Sequence, residues 1–293
     1  MNQERIFAVD GNGYMHRAFA TLNSHRPTAV AFPFHLTSMI CKDATAVKAK
    51  HLIVAFDGPD NFRYGVYPQY KSARRDKQGI EGGGPASSTT GIYSYLPAIK
   101  NYFLHAGIPF YMPEEHEADD VLCSIASRYY TEYDIVCGTS DKDARQFLRP
   151  GVRLYDSRHK NADKKPDPIY ITHEDDYQGI SCDRVLDYQT LIGDRVDSIP
   201  SIMGPKKAQA VLASHRSLNA WASSATGKEL DFIQIKAEEI RRNRALVKLS
   251  TDAIPDTQPH TWKIPKQSPE MDLPQSYYNY NAYCYRSRGL FAD

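Results

Sequence analysis

Short apolar runs alternate with helical patterns through the first two-thirds of the chain. RIFAVD (5–10) and HLIVAFD (51–57) crowd apolar residues together, which is typical of strands that are buried on both faces. Three more strands are predicted at IPFYM (108–112), YDIVCG (133–138) and VRLYD (152–156). Strands that alternate with helices predict a doubly wound α/β fold with a mainly parallel central sheet.

Helical spacing of apolar residues is found between these strands and beyond them. It predicts helices over these ranges: about 28–49, 91–105, 115–131, 182–193, 205–214 and 228–249. We therefore divide the chain into an α/β region over 1–180 and a helical region over 181–293. The second region ends in a tyrosine-rich tail that includes YYNYNAYCYR (277–286), a strand or an ordered extension.

Composition excludes several classes of protein. The chain has 293 residues, 41% of them hydrophobic, but no apolar run approaches the ~20 residues of a membrane span. Its N-terminus, MNQERIFAVD, lacks a signal-peptide core, and its five cysteines are scattered without zinc-ligand spacing. These features suit a reducing cytoplasm and no membrane partner. The net charge of +1 means that any nucleic-acid interaction must rest on local patches.

Carboxylates follow four of the predicted strands, and a fifth group lies in IGDRVDSIP (192–200). The candidates are Asp10, Asp57, Glu117, Asp119, Asp120, Asp141, Asp143, Asp194 and Asp197. A lone Asp after a strand is more often a helix cap or a turn residue. In a doubly wound sheet, however, the carboxyl ends of the strands share one edge, so five such groups would converge and repel one another.

A convergent set of acids predicts divalent cations between them. All-oxygen ligation favours Mg²⁺ or Mn²⁺ over zinc. Two such ions ~4 Å apart are the usual apparatus for in-line hydrolysis of a phosphodiester.

The acidic run EEHEADDV (114–121) raises a problem of spacing. On an ideal helix, Glu117 and Asp120 share a face, whereas Asp119 points ~200° away from Glu117. Either the helix begins later than residue 115, or one of the three acids acts through water.

A basic stretch follows the acid at the end of the second predicted strand. FRYGVYPQYKSARRDK (62–77) interleaves arginines and lysines with tyrosines, which suits phosphates and unpaired bases, although a solvated basic turn is the alternative. The glycine-rich segment that follows has no period and by itself predicts a surface loop. In IPSIMGPKKAQAVL (199–212), Gly204, Lys206 and Lys207 open a helix, which makes either a phosphate site or an ordinary proline-led helix start.

The motifs VDGN, AFDG, FR…YPQYKSARR, EADD, TSDKD and GDRVDSIP…GPKKA, in that order, resemble the 5′-nuclease family over residues 5–215. This family comprises flap endonucleases, phage 5′-exonucleases and the 5′-nuclease domain of bacterial DNA polymerase I. The resemblance implies a PIN-like fold and a helix-hairpin-helix-type DNA-binding element. It also implies that all nine acids hold metal and that Lys71 and Arg74 contact the scissile phosphate.

The resemblance further implies how substrate is bound. Tyr70 would stack near the reacting nucleotide, Arg63 and Arg75 would bind substrate, and the segment from about 71 to 91 would form an arch over a 5′ strand. Gly204, Lys206 and Lys207 would grip the duplex backbone. The family hairpin, Gly-φ-Pro-Gly-φ-Gly, shrinks here to SIMG (201–204), and the arch is short and contains GGGP.

The sequence thus predicts a Mg²⁺- or Mn²⁺-dependent 5′–3′ exonuclease or flap endonuclease of replication or repair, with two ions. We expect it to act on DNA with 5′ ends, flaps or nicks, with RNA primers as a further substrate. We also expect a monomer in the cytoplasm, or in the host cytoplasm if the chain is phage-encoded. The alternatives are a PIN-type ribonuclease and a non-catalytic protein that binds branched DNA. A haloacid-dehalogenase-like phosphatase is disfavoured because Asn12 stands where that family needs a second Asp.

Overall fold

A six-stranded sheet organises the part of the chain described by this computed structural model, which covers residues 3–22, 29, 31–72, 91–156, 169–255 and 259–264. The strands are β1 (Arg5–Asp10), β2 (His51–Ala55), β3 (Phe110–Tyr111), β4 (Asp134–Gly138), β5 (Val152–Tyr155) and β6 (Tyr170–Ile171). Their order is β3-β2-β1-β4-β5-β6. The first five strands are parallel and β6 runs antiparallel to β5, which confirms the mainly parallel sheet. The short strand β6 was not predicted.

The register brings the carboxyl ends of the central strands to one edge. Asp10, the last residue of β1, pairs with Ala55 of β2, and Val9 pairs with Gly138 of β4. Residues 6–9 of β1 are fully buried, as the unbroken apolar run predicts for a central parallel strand. Loops that leave β1, β2 and β4 therefore start side by side.

Helices cover both faces of the sheet and then build the helical region. They are α1 (Gly11–Thr21), α2 (Ala31–Ala46), α3 (Phe62–Val66), α4 (Leu96–Ala106), α5 (Ala118–Tyr129), α6 (Val185–Ile192), α7 (Pro205–Ser214), α8 (Leu218–Ser224) and α9 (Lys228–Val247). The predicted range of α7 is confirmed at both ends. The helix α1 and the short helices α3 and α8 were not predicted.

Two hydrophobic layers sandwich the sheet. One side chain set of β1, represented by Ile6 and Ala8, packs with α5. The other set, Phe7 and Val9, packs with α1, α2 and α4. Successive side chains of β1 therefore point to opposite faces of the sheet. The run is apolar throughout because helices cover both faces.

A separate cluster forms the core of the helical region. It joins Tyr188 and Leu191 of α6 to Leu212 of α7 and Trp221 of α8. The division into two domains at about residue 180 stays a prediction. Among the described residues, no helix is long and apolar enough to cross a membrane.

Several predictions concern residues outside the described ranges. Arg74, Arg75, most of the arch segment at 71–91 and the tail strand at 277–286 belong to this group.

Candidate active site

A cavity of about 610 Å³ opens at the carboxyl edge of the sheet. Eight of the nine predicted acids line it: Asp10, Asp57, Glu117, Asp119, Asp141, Asp143, Asp194 and Asp197. They come from the ends of β1 to β4 and from the loop between α6 and α7. The convergence expected from the strand ends is therefore present.

Backbone amides fix the acids that follow β1 and β2. Asp10 is the N-cap of α1, and its Oδ1 accepts a hydrogen bond from the Gly13 amide at 2.9 Å. A Cβ on Gly13 would lie 2.5 Å from the Asp10 carboxylate, so only glycine allows this close approach. Oδ1 of Asp57 accepts from the Ala118 amide at 2.8 Å, at the first turn of α5. Each aspartate is therefore held in one orientation through Oδ1, and its second carboxylate oxygen is left for the cavity. Asp10 can thus be a helix cap and a candidate metal ligand at the same time.

The late start of α5 resolves the spacing problem in the acidic run. The helix begins at Ala118, and Glu117 is an extended N-cap residue with φ −89° and ψ 164°. Because Glu117 lies outside the helix, the ideal helical angle between it and Asp119 does not apply, and both reach the cavity. The first of the two alternatives is confirmed.

Asp120 is a correction to the predicted metal ligands. Its carboxylate is fully buried and receives both arms of the Arg63 guanidinium, at 2.7 and 2.8 Å. The amides of Ser250 and Glu117 also donate to it, at 2.7 and 3.1 Å. Four donors occupy this carboxylate, so it is a structural anchor and was wrongly assigned to metal.

Arg63 is the matching correction among the predicted substrate-binding residues. Its side chain is 1% exposed and also donates to the backbone oxygens of Leu246 and Lys248. The fork ties α3 to α5 and to the end of α9, and one arm lies 3.7 Å from Glu117. Arg63 lines the cavity, but four of its five N–H donors are already used within the protein, so the guanidinium supports the site and is not free to bind substrate.

The central acids are strained electrostatically. Burial, together with Asp57 and Asp141, raises the pKa of Asp10 to about 7. Burial and Glu117 raise the pKa of Asp57 to about 6. Burial and the neighbouring acids, Asp141 foremost, raise the pKa of Asp119 well above its usual range. Such mutual shifts are the signature of carboxylates that lack a compensating cation.

The donor set fits a divalent cation. Oδ1 of Asp119 is buried and has no hydrogen-bond partner in the structure, although a buried polar atom normally has one. In the same cavity, carboxylate oxygens of Asp143, Asp194 and Asp197 lie within 4.8 Å of one another. Hard oxygen donors at this density match Mg²⁺, Mn²⁺ or Ca²⁺.

Lys71 stands at the edge of the cavity and is held in place by its surroundings. Its ammonium pairs with Glu117 and lies 5.1 Å from the centre of the Tyr70 ring. Its backbone has a left-handed φ of 54°, and its amide donates to the Asp197 carbonyl at 2.9 Å. Burial works against ionisation of Glu117, but Lys71 and then Arg63 outweigh it and lower the pKa of Glu117.

Tyr70 is almost fully buried at the wall of the cavity. The side chain is 2% exposed, its hydroxyl donates to Glu117 at 3.2 Å, and its ring packs beside Tyr64. In this position the hydroxyl supports Glu117, and the predicted stacking of the ring on a nucleotide stays a prediction.

Lys142 was missed by the sequence analysis although it lies between two predicted ligands in TSDKD. Its ammonium contacts Oδ1 of Asp143 at 3.0 Å and Oδ2 of Asp194 at 2.5 Å. Burial opposes its charge, but Asp143 and Asp194 prevail and raise the pKa of Lys142. The side chain of Gln189 also donates to Asp143, at 2.6 Å. Asn12, His16 and Tyr93 also line the cavity and were likewise not predicted.

The loop between α6 and α7 is a helix-hairpin-helix turn. Asp194 and Ile199 exchange backbone hydrogen bonds at 3.0 and 2.7 Å, and Oδ1 of Asp194 accepts from the Val196 amide at 2.7 Å. Gly193 has φ 65° and ψ −168°, and a Cβ there would lie 2.5 Å from the Ile199 carbonyl oxygen. The side-chain amide of Asn243 in α9 donates to the Pro200 carbonyl at 2.6 Å and ties the hairpin to α9.

The predicted duplex-binding residues open α7. Gly204 is its N-cap, and Lys206 and Lys207 lie exposed in its first turn. Pro205 has no N–H, the Lys207 amide donates to the Gly204 carbonyl at 3.1 Å, and the Lys207 ammonium lies 4.7 Å from the centre of the Phe232 ring. A role for these three residues in DNA binding stays a prediction.

A family model described as the 5′–3′ exonuclease N-terminal resolvase-like domain matches residues 5–174. The chain belongs to the 5′–3′ exonuclease family. This match covers the whole sheet and six of the eight acids that line the cavity, whereas Asp194 and Asp197 lie beyond it in the loop between α6 and α7.

Curated relatives from this family align with most of the chain. A 5′–3′ exonuclease of Aquifex aeolicus is 26% identical over 258 residues, which cover 84% of this chain and 82% of the relative. DNA polymerase I of Rhizobium leguminosarum is 28% identical over 268 residues, which cover 85% of this chain. The chain spans only about a quarter, 25%, of that polymerase.

Solved structures share the fold. The flap endonuclease of bacteriophage T5, in a complex with DNA and metal ions, superposes with a TM-score of 0.68 at 19% identity, over 85% of this chain and 90% of that one. The catalytic core of Rad2 with a DNA substrate gives a TM-score of 0.53 at 17% identity, over 90% and 84% of the two chains.

Proposed function

We propose that the protein is a divalent-metal-dependent 5′-nuclease that hydrolyses phosphodiester bonds in DNA with 5′ ends, flaps or nicks. The observation that carries the proposal is the convergence of eight carboxylates on one cavity with Lys71 at its edge. Membership of the 5′–3′ exonuclease family supports the reaction, and the DNA and metal ions in the T5 complex support the substrate and the cofactor.

The acids divide into two groups that suit two Mg²⁺ or Mn²⁺ ions. Asp10, Asp57, Asp119 and Asp141 would hold one ion, and Asp143, Asp194 and Asp197 would hold the other. Ions bound there would supply Lewis-acid activation of water and neutralisation of phosphate charge.

The chain's own residues orient the substrate. Glu117 and Tyr70 hold the Lys71 ammonium at the cavity edge, where it neutralises charge on a phosphate that enters the site. The exposed first turn of α7 offers Lys206 and Lys207 to the backbone of a duplex beyond the site. Arg74 would act beside Lys71, as the family resemblance implies.

The helix-hairpin-helix turn favours duplex DNA over the PIN-type ribonuclease alternative. A compact RNA-cleaving PIN domain does not need such a turn, which here carries two of the acids. The retention of every cavity acid disfavours the non-catalytic alternative. We extend the proposal to RNA primers at 5′ ends and to a monomeric enzyme.

A 5′-labelled flap on a nicked duplex tests the proposal, with Mg²⁺ in one series and EDTA in the other. We expect labelled products only with Mg²⁺, and we expect Asp141→Asn to lose at least about a hundredfold in rate with DNA binding retained. Asp231→Asn, an exposed acid in the first turn of α9, is the matched control and keeps the wild-type rate. Cleavage that persists in EDTA, or in Asp141→Asn, would refute metal catalysis at this cavity.

Lys71→Met separates catalysis from binding. Single-turnover kinetics should show a slower chemical step at unchanged Kd for the flap, because the ammonium acts on the phosphate within the site. A loss confined to Kd would remove the catalytic role of Lys71. The same flap with a 5′ RNA segment tests the primer substrate.

A further inference from the structure

An ammonium group lies inside one of the two acid groups. Nζ of Lys142 contacts Asp143 and Asp194, at 3.0 and 2.5 Å, and both of these acids belong to the triad whose oxygens converge within 4.8 Å. Lys142 therefore contacts two of the three carboxylates that an ion at this triad would bind.

The carboxylates that Lys142 contacts are held by other groups as well. Gln189 of α6 donates to Asp143 at 2.6 Å and is itself fixed by Gln146 at 2.7 Å. Asp194 is held by the Val196 and Asp197 amides, at 2.7 and 3.2 Å. Removal of the ammonium would thus leave both acids in place.

The Lys142 side chain is free to leave. It is 40% exposed, whereas Asp143 and Asp194 are 22% and 11% exposed. Its long stem can carry the ammonium outward to water without breaking packing in the core. The loss of two charge-assisted hydrogen bonds is then the main cost of its departure.

We propose that Lys142 is an internal counter-ion that occupies the place of the second divalent ion and competes with that ion for Asp143 and Asp194. The inference rests on the proposed function in that it concerns the same metal site. An incoming ion must displace the ammonium, so the second ion binds more weakly than the first in the absence of DNA. The displaced ammonium moves to the mouth of the cavity, where a phosphate would receive it. Lys142 is thus a positioning residue that couples the second ion to the substrate.

Titration of the metal-free full chain with Mn²⁺, without DNA, tests this inference. Calorimetry gives the two affinities, and electron paramagnetic resonance counts the free ion. We compare wild type with Lys142→Met, which removes the charge, and Lys142→Arg, which keeps it. Lys50→Met is the control, since Lys50 forms an exposed ion pair with Glu4 on another part of the molecule.

Lys142→Met should tighten the weaker Mn²⁺ site by about tenfold, which is ~1.4 kcal/mol. The tighter site should change by less than about twofold, because the effect is direct competition and not the general field. Lys142→Arg and Lys50→Met should behave like wild type. In EDTA, Lys142→Met should also lower the unfolding temperature, since Asp143 and Asp194 then repel each other.

Two results would overturn the inference alone. One is an unchanged or weaker second site in Lys142→Met. The other is equal tightening of both sites, which would reduce Lys142 to a distant charge. If no variant, wild type included, binds Mn²⁺, the proposed function fails together with the inference, so the two failures are distinguishable.

Discussion

The buried ion pair of Arg63 and Asp120 offers the sharpest test of how the site is supported. Arg63→Met removes a guanidinium that is 1% exposed and leaves a fully buried carboxylate without its counter-charge. It also strips two backbone carbonyls, those of Leu246 and Lys248, of a donor. Loss of one partner of a buried pair costs roughly 3–5 kcal/mol in free energy of unfolding.

The assay is urea unfolding in EDTA, so that metal does not contribute. We expect Arg63→Met to lower the free energy of unfolding by roughly 3–5 kcal/mol. The double variant Arg63→Met/Asp120→Asn should recover about half of that loss, because no buried charge remains and the amide oxygen still accepts from Ser250. Arg241→Met, in an exposed pair on α9, is the control and should stay within about 0.5 kcal/mol of wild type.

Two outcomes would refute the assignment of Arg63 and Asp120 to a buried supporting pair. An unchanged free energy of unfolding in Arg63→Met, together with weaker binding of the flap, would restore the substrate-binding role that the basic stretch first indicated. Failure of Asp120→Asn to rescue the single variant would show that the two side chains are not energetically coupled.

Three further predictions concern the acids and the hairpin. Raised pKa values, about 7 for Asp10 and about 6 for Asp57, mean that these groups must ionise at a cost in the metal-free fold. Their contribution to stability in EDTA should therefore be fully present below about pH 4, fall as pH rises to about 7 and level off above that, while the Mg²⁺-induced rise in unfolding temperature should grow over the same window; a flat profile would contradict this. Asp119→Asn should abolish the Mg²⁺-induced rise without lowering stability in EDTA, because Asp119 carries the unpartnered buried oxygen; a retained rise in differential scanning fluorimetry would remove Asp119 from the ligands. Gly193→Ala should cost about 1–3 kcal/mol in urea unfolding and weaken binding of nicked DNA, because its backbone conformation is one that essentially only glycine adopts. Gly179→Ala, at a positive φ with open space around it, is the control and should keep DNA affinity.

The sequence by itself determined the sheet and the gathering of the acids. Unbroken apolar runs such as residues 6–9 mark central parallel strands, and the acids that follow them must share an edge because parallel strands end together. This reasoning is local, since each strand and the residue after it are adjacent in the chain. It located six of the eight cavity carboxylates, while Asp194 and Asp197 came from the segment IGDRVDSIP and helical spacing predicted the start and end of α7.

Only the tertiary structure decided which charged residues face the cavity. Arg63 and Asp120 are 57 positions apart, and no local pattern reveals that they neutralise each other inside the core. Lys142 stands between two ligands in the sequence, yet its contact with Asp194 spans 52 positions. The orientation of a long charged side chain depends on the partner it finds at a distance, and its desolvation is favourable only where that partner is present. A sequence therefore shows where charge is concentrated, whereas the fold assigns each charge to support, to metal or to substrate.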